Sequence, residues 1–165
     1  MATTSSGTAK VTLPADNQIL ITRELNAPAR LVWKAYTTPE LIKRWWSGGR
    51  GTVTSAEVDL RVGGKWRYVM SANGGFEVGF HGEYREIVPP ERLVNTEAFE
   101  GMPDPDEHAA LCTVTLTEKD GRTYFEMLVE HRDQAGRDMH INSGMESGMQ
   151  ESLDHLEKVA AGLSD

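Results

Sequence analysis

Towards the end of the chain the apolar residues recur with helical spacing. Along residues 143–163, Met145, Met149, Ser152, Leu153, Leu156, Val159, Ala160 and Leu163 share one side of a helical wheel. Glu146, Gln150, Glu151, Asp154, Glu157 and Lys158 take the other. Ser143 with Glu146 three residues on reads as a capping box that starts this helix. Gly144, Gly148 and His155 flank the apolar stripe. A glycine inside a helix costs about 1 kcal/mol relative to alanine. The pattern therefore predicts either a close backbone approach or space beneath the helix.

Upstream the period shortens to that of strands. Residues 17–25 alternate loosely and carry β-branched side chains, a first strand. Pro28 opens a short helix over ARLVWKAYTT. Thr38, Pro39 and Glu40 give the start signal for a second, to Trp46. Ser47-Gly48-Gly49-Arg50-Gly51 is a loop, after which strands are predicted over 52–60, 65–71, 76–88, 92–100, 109–118 and 122–131. Gly63-Gly64, Asn73-Gly74-Gly75, Pro89-Pro90 and Asp120-Gly121 separate them as turns. About seven antiparallel strands and a closing amphipathic helix make an α+β domain with its sheet curled around that helix. No repeat or internal linker divides the chain, so residues 13–165 are expected to form one domain behind a disordered tail, 1–12. Period-2 alternation turns Trp66, Tyr68 and Met70 inward, then Phe76, Val78, Phe80 and Tyr84, Val114 and Leu116, and finally Phe125, Met127, Val129 and His131. One helix fills less than such a groove offers. Flexible methionines on the covering face suit a cavity, and equally a core with methionine as filler.

Composition narrows the function classes. A net charge of −8 argues against a general nucleic-acid binder, which needs a basic face. A single cysteine, Cys112, excludes an intrachain disulfide. MATTSSGTAK has no apolar core for a secretory signal, and no apolar run is long enough to span a membrane, so a cytoplasmic location is expected.

Candidate chemistry is sparse. His108, His140 and His155 show no metal-ligand pairing, and no C-x-x-C or EF-hand pattern occurs, so neither metal nor cofactor is expected. No serine sits in a G-x-S-x-G elbow, and Gly48-Gly49-Arg50-Gly51 lacks the Lys-Ser/Thr end of a phosphate loop. Asp59 and Arg61 suit a pair pinning their hairpin; Glu83, Glu86 and the acidic run 104–107 read as solvated. His81 alternates to the outer face. His131, at the end of an apolar strand face, is the one candidate for acid–base work or for orienting a ligand carbonyl; a hydrogen bond to loop backbone would explain it as well. No catalytic residue is assigned. The residues expected to meet a ligand are Trp46, Tyr68, Met70, Phe80, Met127, His131, Met145, Met149 and Leu153, with ordinary core packing the alternative for each.

Four stretches in order, PARLVWKAYTTPELIKRWW, VDLRVGGKWRYVM, HGEYREIVPPERLVNTE and GMESGMQESLDHL, resemble the domain first named for the activator of the ninety-kilodalton heat-shock protein's ATPase. That domain belongs to the START-like superfamily, with birch-pollen allergens and polyketide cyclases. The resemblance runs from about Gln18 to Leu163 and implies a helix-grip fold with a deep hydrophobic pocket between sheet and helix. The chain departs from the pattern at Gly148-Met149, where glycine then tryptophan is expected. Losing the indole would enlarge or soften the pocket. The implied function is binding of a small hydrophobic or amphipathic molecule (a lipid, polyketide or other aromatic) as carrier or sensor, by a monomer or homodimer. A cyclase- or dehydratase-like enzyme using the same pocket is the alternative. Chaperone contact, with a role in stress response, follows only from the family's name.

Overall fold

The computed structural model describes residues 9–163. Eight strands form one antiparallel sheet: β1 (Lys10–Thr12), β2 (Gln18–Leu25), β3 (Gly51–Val58), β4 (Lys65–Ala72), β5 (Glu77–Val88), β6 (Arg92–Phe99), β7 (Ala110–Lys119) and β8 (Arg122–Glu130). Their order across the sheet is β1-β2-β8-β7-β6-β5-β4-β3. Helices α1 (Ala29–Thr37) and α2 (Pro39–Trp45) leave the sheet after β2; α3 (Gln134–Ile141) and α4 (Met145–Ala161) follow β8. The long crossover from β2 to β3 puts these strands at opposite flanks, so α1 and α2 close one end of the groove that α4 covers.

Close approaches between strands help shape the floor of the groove. The register shifts within β3–β4 and within β5–β6 mark bulges, which increase local twist and bend. Gly82 stands opposite Trp66, and a Cβ there would come within 1.9 Å of the Thr96 carbonyl. Its absence lets β6 close on β5 and lets the Trp66 indole N–H reach that same carbonyl at 3.1 Å.

On α4, Leu153, Leu156, Val159 and Ala160 are buried, while Met145, Met149 and Ser152 are half-buried. The helix is fixed by charge as well as area. Arg23 on β2, 3% exposed, donates to Asp154 at 2.6 Å and to Glu157 at 3.0 Å, and the Asn26 N–H donates to the second Glu157 oxygen at 2.7 Å.

Several expectations need correction. The strands number eight, because polar Lys10–Thr12 pairs with β2 although the sequence reading placed it in the tail; residues 1–8 of that tail lie outside the described residues. Ser143 does not cap the last helix. Gly144, at φ 83°, separates α3 from α4, and the Ser143 hydroxyl donates instead to the His140 carbonyl. Helix α3, over residues to which the sequence pattern assigned no element, is capped by Asp133, whose side chain accepts the Gly136 N–H at 2.8 Å. Phe76 precedes β5 and is 60% exposed, so alternation does not carry it inward. The β3–β4 connection is a six-residue loop, Asp59 to Gly64, rather than a two-residue hairpin, with the Asp59–Arg61 pair on its exposed side at 2.9 Å.

On the convex side His81 bridges Glu100 (2.7 Å) and Asp106 (2.6 Å), and Arg67 donates two hydrogen bonds to Glu100. The Asp106 hydrogen bond raises His81 above 6.5, and the Arg67 hydrogen bond is foremost in holding Glu100 at about 2 rather than 4.5. A raised histidine stabilises fully below its unfolded value and loses that contribution as pH rises through the folded one; a depressed carboxyl stabilises above its unfolded value and loses the contribution as pH falls. His81→Gln is therefore expected to destabilise by less than about 1 kcal/mol near pH 6, given partial exposure, with the gap closing towards pH 9. Urea titrations at the two pH values check this; a gap that widens at alkaline pH contradicts it.

Candidate functional site

A cavity of about 280 Å³ lies between the concave face of the sheet and α4. Its size falls near the lower end of ligand pockets, about 300–1,000 Å³. Eight of the nine residues expected to meet a ligand line it: Trp46, Tyr68, Met70, Phe80, Met127, Met145, Met149 and Leu153. His131 does not. Strand β8 ends at Glu130, so the alternation carrying Met127 and Val129 inward stops short of it. Its Nε2 instead shares a hydrogen bond of 2.9 Å with Nδ1 of His140, which does line the cavity. Burial lowers both histidines, His140 to about 4, and the pair is uncharged at neutral pH.

Two groups of rings make the walls. At one end Tyr36 stacks on Trp45 with centroids 5.2 Å apart and tilts against Phe125 at 6.1 Å. At the other Trp46 meets Tyr68 and Phe80 edge-on, at 5.4 and 5.6 Å. Trp45 Nε1 donates to the Ala35 carbonyl at 2.8 Å and Trp66 Nε1 to Thr96, so both indoles have spent their polar edge on backbone.

The rim explains the glycines of the sequence. The loop after α2 lies directly on α4: the Gly49 N–H donates to Glu151 at 2.9 Å, and Ser152 Oγ donates to the Trp46 carbonyl at 2.7 Å. A Cβ on Gly48 would stand 2.8 Å from that of Glu151, and one on Gly148 would stand 3.0 Å from Arg50 Nε. Close approach therefore accounts for Gly148, while Gly144 supplies the left-handed turn between helices. The Arg50 guanidinium donates to the Gly144 carbonyl at 3.3 Å and to Ser147 Oγ at 3.1 Å.

A polar cluster that the sequence reading passed over lies on the strand side. Leu93, Asn95 and Glu97 of β6 point one after another into the cavity, with Cys112 paired opposite Asn95. Glu97 is half-buried, and what it leaves open faces this interior. Among the described residues its one hydrogen-bond partner is the Cys112 thiol, 3.8 Å from Oε2. Burial raises the Glu97 carboxyl, with the thiol hydrogen bond opposing in part. Burial likewise raises Cys112, Tyr36 and Tyr68, and takes Tyr84 to about 12. Tyr68 and Tyr84 both line the cavity. These phenols and the thiol therefore keep their protons at neutral pH.

A single antiparallel sheet gripping a C-terminal helix, with an apolar cavity between them, defines a protein of the helix-grip, START-like class. The chain belongs to the family described as Activator of Hsp90 ATPase homolog 1-like protein, whose family model matches residues 26–161. A protein from Rhodobacter sphaeroides, known from its crystal structure, is 25% identical and superposes with a TM-score of 0.84, covering 94% of this chain and 99% of that one. A protein from Chromobacterium violaceum is 26% identical over 88% of this chain and 98% of its own, with a TM-score of 0.73. The AHSA1-like protein from Aeromonas hydrophila, 24% identical over 88% of this chain and 95% of that one, shares the fold at a TM-score of 0.66. No curated protein matches the chain. Among the described residues no cluster of His, Cys, Asp or Glu is arranged to hold a metal ion, and no helix is long and apolar enough to cross a membrane.

Proposed function

We propose that the chain encloses a small hydrophobic or amphipathic molecule in the cavity beneath α4, as a carrier or sensor. The observation that carries this reading is a ring-walled space of about 280 Å³ with Tyr68, Tyr84, Glu97 and Cys112 on its strand side. Burying apolar ligand surface supplies the drive, about 25 cal/mol per Å² before ordering costs. Glu97, Tyr68 and Tyr84 supply orientation. His131 is left the lesser part of keeping the His140 ring in place. The rim is closed by a handful of loop–helix hydrogen bonds, whose opening would admit a ligand without unfolding the sheet.

Trp46, half-buried in the cavity wall, supplies a direct readout. Native mass spectrometry of gently purified protein is expected to show an added mass of one small molecule that disappears on denaturation. Titration of the emptied protein with fatty acids, sterols, hydrophobic amines and aromatic polyketides should give saturable quenching of tryptophan fluorescence by at least one class. A clean mass together with no saturable binder would count heavily against ligand carriage.

A further inference from the structure

The cavity holds a carboxyl group whose one described partner is a thiol. Cys112 Sγ at 3.8 Å is a weak donor, and no arginine or lysine of the described residues reaches Glu97. On the strand side and at α1 the ionisable groups that line the cavity with it are Cys112 on β7, Tyr36 on α1, Tyr68 on β4 and Tyr84 on β5. Every one of these can only lose a proton. The cluster never carries positive charge, and once Glu97 is ionised an anion entering it meets repulsion. The guanidinium that lines the cavity, Arg50, is held on the helix side by Gly144 and Ser147. His140, the imidazole in the wall, is uncharged at neutral pH because burial holds it near 4.

Rings line the same cavity as this carboxyl. Tyr36 and Trp45 are stacked, Trp66 lies 4.7 Å from Tyr68, and the indole N–H groups of Trp45 and Trp66 are tied to backbone carbonyls. What the two indoles contribute to the cavity wall is ring surface rather than a polar edge. Aromatic faces around a carboxylate suit an ammonium group, which gains cation–π attraction from the rings and a charge-assisted hydrogen bond from the acid. Beyond the cluster Met127, Met145, Met149 and Leu153 give the apolar length for a hydrocarbon body.

Resting on the reading of the cavity as a ligand site, we infer that it selects a hydrophobic amine, a primary or secondary ammonium on an apolar body, with Glu97 as its counter-ion. The ammonium enters with its proton. Where Glu97 is protonated beforehand, its carboxyl releases that proton to solvent as the ion pair forms, so charge and protons balance. Without the carboxylate the ammonium is left unpaired in a largely apolar site, which is where discrimination arises.

The test is calorimetric titration of the full chain with three probes of equal hydrocarbon body, phenylbutylamine, phenylbutanol and phenylbutyrate. The amine is expected to bind at least about tenfold more tightly than the alcohol, with the carboxylate weakest. Repeating the amine titration in buffers of different ionisation enthalpy is expected to show release of up to about one proton as pH is lowered into the range where Glu97 is protonated. In Glu97→Gln, of near-equal size, the amine should fall to within about twofold of the alcohol measured on the same variant. Equal binding of amine and alcohol by the native protein, or a preference for the carboxylate, overturns the amine assignment and leaves the ligand cavity standing. If none of the three binds, the amine assignment falls, and the ligand cavity stands or falls on the mass spectrometry and the wider titration. If Glu97→Gln does not fold, the rank order and proton release of the native protein decide the matter alone.

Discussion

Replacing Asp154 and Glu157 together by alanine is expected to destabilise the protein by about 3–5 kcal/mol, more than replacing their shared partner by Arg23→Met. Arg23 is the buried member of the triad, its side chain 1% exposed, while Asp154 is 47% and Glu157 19% exposed. Taking away the acids leaves a guanidinium without compensation beneath α4, and its Nε already has no hydrogen-bond partner. It also frees the Asn26 N–H that Glu157 satisfies. Taking away the arginine instead leaves acids that water can reach, and methionine refills the apolar length of the side chain. Glu157→Ala alone should cost more than Asp154→Ala, since Glu157 is less exposed and makes two of the contacts. Urea denaturation followed by circular dichroism measures all four variants. A double-acid variant within about 1 kcal/mol of the native protein, as for an exposed pair, would sink the argument.

This triad divides α4 into two regimes. Its C-terminal half is pinned by buried charge and by Leu156, Val159 and Ala160; its N-terminal half meets the rim through Gly49, Trp46 and Arg50. The half over the cavity mouth is thus the half held by exposed or half-exposed hydrogen bonds. Such contacts open at low free energy compared with a buried core. On the proposed reading, the cavity fills and empties by opening of this half while the sheet stays intact.

Most elements were legible because each carries its own punctuation. Asp120-Gly121 and Asn73-Gly74-Gly75 mark turns, Pro28 and Pro39 mark helix starts, and α4 repeats its stripe for over four turns. Helix α3 was hidden by Gly136, which reads as a loop residue until Asp133 is seen to accept its N–H. Strand β1 is only three residues long, so its pairing, rather than any pattern of its own, defines it. Ser143 and Glu146 formed a good capping pattern in sequence, yet the left-handed Gly144 between them sets the boundary. The cavity walls followed from strand alternation, whereas its chemistry did not. Glu97 sits on β6, where Val94 and Ala98 on the opposite face are also buried, so alternation there gives no contrast between faces. The period places Glu97 with Leu93 and Asn95, and a carboxyl at an inward position was the available signal. His131 drew attention as a titratable group in an apolar run, one residue past the point where that run remains a strand.

Met149→Trp is expected to weaken binding of any ligand at least about tenfold while leaving the melting temperature unchanged or higher. Met149 lines the cavity from α4, next to Gly148, at the place where the family pattern leads one to expect tryptophan. An indole there would enter existing space beside Trp46 rather than displace packed core, because Met149 is only half-buried and the cavity lies beneath it. Filling a void adds dispersion contacts and apolar burial, and overpacking costs arise only where no space is available. Ligand and indole then compete for one volume. The comparison separates two explanations of the sequence: if methionine is present to leave room, the variant is stable and empty; if it is mere filler, binding survives. Fluorescence titration and thermal melts of the same preparation read both quantities. Retained affinity with a lowered melting temperature would show that the space beneath α4 is not where the ligand goes.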